Sequence, residues 1–167
     1  MNHTFFEEGE RISLYPLKME ELEKMRALRN RSRHSFVTSK EITGEEQRRW
    51  YESYLNREND YLFSVYYRKG WIGAVSIYDV DPIEGKAEFG RLMIDRELAG
   101  TGGLGVEATK AACQIAFQRL RVRVIELEVY VDNIPAQITY LKSGFVPEEL
   151  FLDGEGRKML RMKCQKP

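Results

Sequence analysis

The residues best suited to chemistry are the glycines between Gly100 and Gly105. Within Arg91 to Leu120, an apolar run (Leu92, Met93, Ile94) gives way to small residues at Ala99, Gly100, Gly102, Gly103 and Gly105. Apolar residues at helical spacing follow: Leu104, Ala108, Ala111, Ala112, Ile115, Ala116 and Leu120. That order predicts a strand, a glycine loop and a helix. Glycine permits positive φ and close approach of a ligand to the main chain. The first amides of a helix point outward unpaired, with the positive end of the dipole behind them. A phosphate or pyrophosphate fits such a place. Two other readings of the same residues stand beside this one. Gly100-Thr101-Gly102-Gly103-Leu104-Gly105 matches the dinucleotide fingerprint G-x-G-x-x-G, with Glu126 and Glu128 a little over 20 residues beyond Gly105, where a ribose-binding acid belongs. Against it, Asp95 to Ala99 intervene after the strand, several strand-like runs come earlier, and only about 60 residues follow. The other reading is a glycine-rich turn that binds nothing.

Composition narrows the classes. At 167 residues and 43% hydrophobic the chain is one domain's worth, residues 1–167, able to bury a core without staples. Its 26 basic and 26 acidic side chains balance, which argues against a general nucleic-acid binder. Cys113 and Cys164 are too few and too isolated for a disulfide framework or a zinc site, so no metal is expected. Cys113 falls on the apolar side of the central helix, as a buried inert thiol would. Neither a signal-peptide pattern nor a membrane-length apolar run is visible, so the expectation is a soluble cytoplasmic protein without a membrane partner.

The elements that must position the loop follow in order. Arg11 to Leu17 reads as a strand edged by Pro16, and Met19 to His34 as a helix with Met19, Leu22, Met25 and Leu28 on one side. Thr43, with Glu46 three residues on, opens a second helix that carries Trp50, Tyr51, Tyr54 and Leu55. From Tyr61 the period becomes that of strands: a hairpin through Arg68-Lys69-Gly70, then a turn at Asp81 to Gly85 into Lys86 to Ile94. After the central helix comes a strand at Val124 to Asp132. A short helix capped by Asn133 or Asp132 ends at Ser143-Gly144, and a last hairpin turns through Asp153 to Gly156. The pattern predicts a single α+β domain with a mostly antiparallel sheet.

Two motifs together carry a resemblance: the loop Gly100 to Gly105 followed by Val106-Glu107-Ala108, and, about 30 residues later, Asn133-x-x-Ala136-x-x-x-Tyr140-x-Lys142-x-Gly144-Phe145. With them the chain resembles the GNAT superfamily of acetyl-coenzyme A dependent N-acetyltransferases, and the order of elements matches from Arg11 to Cys164. The resemblance implies a mixed, mostly antiparallel sheet of six to seven strands flanked by about four helices, with acetyl-CoA as co-substrate. There is one departure. Aligned back from Gly105, Gly100 stands where the family has arginine or glutamine; aligned from the strand side, Gly100 and Gly102 take the glycine places and one residue is extra.

An amine attacking a thioester must lose a proton, and the reaction needs a donor to the oxyanion and a proton for the departing thiolate. The resemblance implies that pyrophosphate meets the amides of Gly102, Gly103, Leu104, Gly105 and Val106, with Gly100 beside them, and that Asn133 touches the coenzyme. It implies that a main-chain amide at Met93 or Ile94 polarises the thioester carbonyl and that Tyr140 is the general acid. Glu88, on the same strand, is the candidate base, directly or through water; ordinary packing for Tyr140 and an arginine-paired surface carboxylate for Glu88 are the alternatives.

For the acceptor, a small-molecule amine, the sequence offers Arg26, Arg29, Arg31, Arg33 and His34 at the end of the first helix, with Trp50, Tyr51 and Tyr54 nearby. Forked guanidinium groups suit phosphates and aromatic faces suit sugars or bases. The Leu28-Arg29-Asn30 step and the Trp50-Tyr51 pair resemble the branch that acetylates nucleotide-linked amino sugars, which makes Arg29, Asn30 and Trp50 the candidate acceptor contacts, although each arginine alone fits a solvated helix end. A polyamine is less attractive because a cationic acceptor wants an acidic groove. Protein N-terminal amines remain an alternative. A non-catalytic acyl-CoA-binding module would require loss of Tyr140 or of the loop, and both are present. Either a monomer or a homodimer is compatible with these features.

Overall fold

The computed structural model describes residues 2–35, 40–100 and 102–167. Along the described chain run β1 (Glu7–Glu8), β2 (Ile12–Pro16), α1 (Leu22–Arg31), α2 (Gly44–Leu55), β3 (Tyr61–Tyr67), β4 (Gly70–Asp81), β5 (Lys86–Ile94), α3 (Arg96–Ala99), α4 (Leu104–Arg119), β6 (Val124–Tyr130), α5 (Ile134–Lys142), β7 (Val146–Leu152) and β8 (Lys158–Gln165). The strands form one sheet in the order β1-β2-β3-β4-β5-β6-β8-β7. Every neighbouring pair is antiparallel except β5 and β6, which are joined through α4.

The class is the expected α+β, but eight strands and five α-helices correct the six to seven strands and about four helices read from the sequence. The additions are short. Strand β1 is two glutamates, with no apolar alternation to announce it. Helix α3 is a four-residue turn held by Asp95, whose carboxylate accepts from the amides of Glu97 and Leu98. Met19 is a second correction: a 3₁₀ turn at Met19–Glu21 precedes α1 and leaves Met19 67% exposed, off the apolar face. The expected caps are present. Thr43 and Glu46 form the capping box of α2, and Asn133 accepts from the amide of Ala136 at the start of α5.

Two cores clamp the sheet. On one face α4 packs Ala108, Ala112, Ile115 and Ala116 against Phe63, Val75, Ile77, Phe89, Ile125 and Leu127, its alanines letting the helix sit close. Cys113 is buried in this layer, as expected. On the other face α1 and α2 cover Leu62, Trp71, Ala74 and Met93 with Met25, Leu28, Tyr51 and Tyr54. Among the described residues no helix is long and apolar enough to cross a membrane.

Two irregularities in β5 shape everything downstream. Parallel pairing with β6 runs only from Lys86↔Val124 to Glu88↔Glu126, after which the strands part. On its other edge, β5 pairs Gly90 with Ser76 but Met93 with Ala74, so β5 carries one extra residue, a bulge in which Arg91 takes φ +53°. The adjoining strands approach closely: a Cβ built on Gly73 would overlap the carbonyl of Met93. Gly73→Ala is therefore expected to cost about 3 kcal/mol by overpacking. For a domain of this size that lowers Tm by roughly 6–12 °C, with a little-changed denaturant m-value. A variant as stable as the parent would show that this approach is not tight.

Candidate active site

The parting of β5 and β6 opens a cavity of about 1510 Å³ between the N-terminus of α4, helix α5 and the ends of α1 and α2. Of the residues singled out from the sequence, Glu88, Met93, Ile94, Gly100, Gly102, Gly103, Leu104, Gly105, Val106, Asn133, Tyr140, Arg29 and Trp50 all line it. Asn30 does not. Its side-chain amide clamps the approach to α2 instead, donating to the carbonyl of Ile42 and accepting from the Ile42 amide, each at 2.8 Å.

The glycine loop divides in two. Gly100, at φ +70°, ends α3, whereas Gly103, left-handed at φ +82°, is the N-cap of α4, and Gly105 lies inside its first turn. Thr101 lies outside the described residues. Gly103-Leu104-Gly105 is therefore the segment that opens the helix. The dinucleotide alternative is overturned: the sheet is not doubly wound, and α3 separates strand from helix. The open amides at the start of α4 face the cavity, with the helix dipole favouring an anion there. Arg11, which precedes β2, braces this loop by donating from Nη2 to the carbonyl of Gly102 at 2.7 Å and pairing with Glu107.

Asp95 donates its amide to the carbonyl of Ile72 on β4 at 2.7 Å. Because peptide groups alternate along a strand, Met93 also turns its N–H toward β4, and Ile94 turns its own into the gap beside β6. Of the two amides proposed for the thioester, Ile94 has the required direction.

Tyr140, on α5, stands edge-on to Phe89 of β5 (ring centroids 5.7 Å apart) and to Phe145 (6.0 Å). Burial pushes its phenol up to about 12, with Tyr78 adding to the effect, so the hydroxyl stays protonated at neutral pH. Glu88 shares a sheet face with Glu126, Glu128 and Arg161. Arg161 donates to all three carboxylates, at 3.4, 2.9 and 2.5 Å respectively. Burial raises the Glu88 carboxyl above its ordinary range, Arg161 pulls against this, and Glu126 and Glu128 add to the rise. Three carboxylates share one guanidinium here, leaving negative charge in excess.

The basic cluster at the end of α1 is dispersed. Arg26 binds Glu23 and the carbonyl of Ile42, Arg31 pairs with Asp95 at 2.8 Å, and Arg33 donates to the carbonyl of Asn30 at 3.3 Å. Arg29, half-buried, lines the cavity, as Trp50 does. Trp50 stacks on Tyr54 (5.4 Å, 5° between planes), while Tyr51 and Tyr54 are core residues. Sequence reasoning missed Arg11, Tyr78, Arg91 and Arg161. Each acts on partners far along the chain, Arg11 on a loop 91 residues away, and local periodicity carries no such signal.

A family model described as an acetyltransferase (GNAT) domain matches residues 11–146. Among curated protein sequences there is no match. Among solved structures, the spermidine N-acetyltransferase from Vibrio cholerae in complex with CoA and spermine aligns with a TM-score of 0.81 and 25% identity, covering 93% of this chain and 95% of that one. A point mutant of the Vibrio cholerae spermidine N-acetyltransferase (TM-score 0.79, 23% identity, 93% and 94% covered) and a probable acetyltransferase (0.79, 19%, 97% and 97%) share the fold.

The two loop glycines make separable demands. Gly103→Val is strained by the positive φ and crowds the amides, so coenzyme A affinity should fall by more than about tenfold. Gly105→Ala meets only ordinary contact with Thr139 at 3.7 Å and adds a good helix former. It should keep or raise Tm while weakening coenzyme binding. Calorimetry showing unchanged affinity in both variants would remove the loop from the binding site.

Proposed function

The chain belongs to the GNAT acetyltransferase family and is an acetyl-CoA-dependent N-acetyltransferase; on that premise we propose that its acceptor is a small cationic amine of the polyamine class. The observation that carries this reading is the excess of carboxylate at Glu88, Glu126 and Glu128 around Arg161, beside the gap in the sheet. Partly buried carboxylates attract ammonium groups more strongly than solvated ones, because less water screens them. The acidic groove whose absence counted against a polyamine is thus supplied by strands β5 and β6. The complex of the Vibrio cholerae relative with spermine supports the same class.

In the proposed reaction the amine attacks in a ternary complex. Glu88 takes one proton from the ammonium, directly or through water, to free the attacking nitrogen, and the second N–H proton passes to the Tyr140 oxygen once that has protonated the sulfur; the raised pKa of Glu88 suits it to act as a base. The nitrogen–carbon bond forms, and the carbonyl oxygen becomes an oxyanion facing the Ile94 amide. As the carbon–sulfur bond breaks, Tyr140 donates its proton to the sulfur. The amides of Gly102 to Val106 hold the pyrophosphate, and Asn133 lies alongside. A second reading, a nucleotide-linked amino sugar, draws on Arg29 and Trp50 in the same cavity. It is the weaker one, since Arg26, Arg31 and Arg33 are already engaged within the fold.

Tyr140→Phe should lower kcat roughly 10²–10⁴-fold with coenzyme affinity nearly unchanged. A base acts only when deprotonated, so kcat/KM should rise with pH through the elevated Glu88 pKa, and Glu88→Gln should abolish that limb. Full activity in either variant would remove that residue from the chemistry.

The acceptor is tested by coupled thiol release over spermidine, spermine, free and nucleotide-linked amino sugars, and peptides. Polyamines should give the highest kcat/KM, and Glu128→Gln should raise their KM about tenfold while leaving kcat nearly unchanged. Better turnover of a nucleotide-linked sugar or a peptide would overturn the polyamine reading.

A further inference from the structure

We propose that Asp60 and Arg91 form a lock that holds the bulge in β5 and thereby decides which main-chain amide faces the thioester. The proposal rests on the acetyl transfer above and adds two positioning residues to it.

The bulge determines parity. Without the extra residue on β5, Leu92 would take the place of Met93 opposite Ala74, and a one-residue slip turns every following side chain to the other face and every peptide group to the other edge. With it, Met93 enters the core under α1 and α2, Leu92 and Ile94 pack toward α4, and the Ile94 amide points into the gap. The bulge holds Arg91 at φ +53°, a region uncommon for residues other than glycine; Arg68, Lys69 and Arg121 take it where the chain turns, whereas Arg91 takes it inside a strand.

Those surroundings are specific. The Arg91 guanidinium donates twice to Asp60, from Nη1 at 2.7 Å and Nη2 at 3.2 Å, and once to Ser76 Oγ at 3.3 Å. It lies 4.5 Å from the Tyr78 ring centroid and 5.7 Å from that of Trp50. The Asp60 side chain is only 7% exposed and is held in turn by Arg57 at 3.3 Å. Asp60 immediately precedes β3, Ser76 is on β4 and Arg91 on β5, so one guanidinium ties together three adjacent strands. A forked group with two bonds to a buried carboxylate has little freedom to rotate, and its backbone inherits that restraint.

The test compares Arg91→Ala, Arg91→Gly and Asp60→Asn in the full chain. Arg91→Ala and Asp60→Asn should lower kcat by about 10²-fold, the scale of a displaced oxyanion donor, with coenzyme affinity within about threefold of the parent. Arg91→Gly, which takes positive φ without strain, should keep at least about tenfold more kcat than Arg91→Ala. Hydrogen exchange reads the parity without reference to activity. In the parent the Met93 amide should be protected and the Ile94 amide open; in Arg91→Ala the contrast should diminish or reverse. Equal losses in the alanine and glycine variants together with a raised acceptor KM would make Arg91 a substrate contact and overturn the lock. Parental kcat in Arg91→Ala, or an unchanged exchange pattern, would overturn it as well. A parent inactive on every amine would count against the functional reading, while the exchange pattern would still decide the lock. If Asp60→Asn does not fold, the two Arg91 variants decide alone.

Discussion

Backbone pairing between β5 and β6 lasts for three residue pairs and then stops, and the rest of the molecule is arranged around that interruption. Interior peptide groups need partners, so a sheet that opens in its middle offers unpaired donors and acceptors to whatever enters the gap. The neighbouring elements keep it open. Helix α3 turns the chain away as β5 ends, α4 starts beside it with free amides, and α5 brings Tyr140 in against Phe89. The same interruption leaves the cavity and, by the alternation of peptide groups, the Ile94 amide turned toward it.

Electrostatics divide the cavity. The helix dipole makes the α4 end favourable for an anion, whereas the face of the sheet turned away from α4 gathers Glu88, Glu126 and Glu128 around Arg161. With the acceptor proposed above, anionic coenzyme and cationic amine would be drawn to different ends of one groove and meet at the gap. Burial tunes the groups between them. It keeps Tyr140 protonated and raises the Glu88 carboxyl above its ordinary range.

The arginines near the end of α1 illustrate how tertiary contacts change the meaning of a charge cluster. Four arginines and a histidine within nine residues look like a polyanion site along the sequence. In the fold, Arg26 closes the path from α1 to α2, Arg31 braces Asp95 at the start of α3, and Arg33 turns back to Asn30. The counter-charges lie as far as 64 residues away, so charge density in one stretch did not reveal how much remained for a ligand.

By itself the sequence determined what local physics controls. Helical spacing and caps set α2, α4 and α5; alternation and turn residues set the hairpins; glycines before a helix marked the start of α4; and two spaced motifs pointed to the family. It also brought to notice thirteen of the residues that line the cavity, the glycine loop, Glu88 and Tyr140 among them. Only the tertiary structure decided the length of the β5–β6 pairing, the bulge at Arg91 that turns Ile94 rather than Met93 to the gap, the gathering of Glu88, Glu126 and Glu128 on Arg161, and the use of Asn30 as a clamp on Ile42. Each depends on register or on a partner distant in the chain. Such pairings are set by the free energy of the whole packed sheet, to which no single window of residues holds the key.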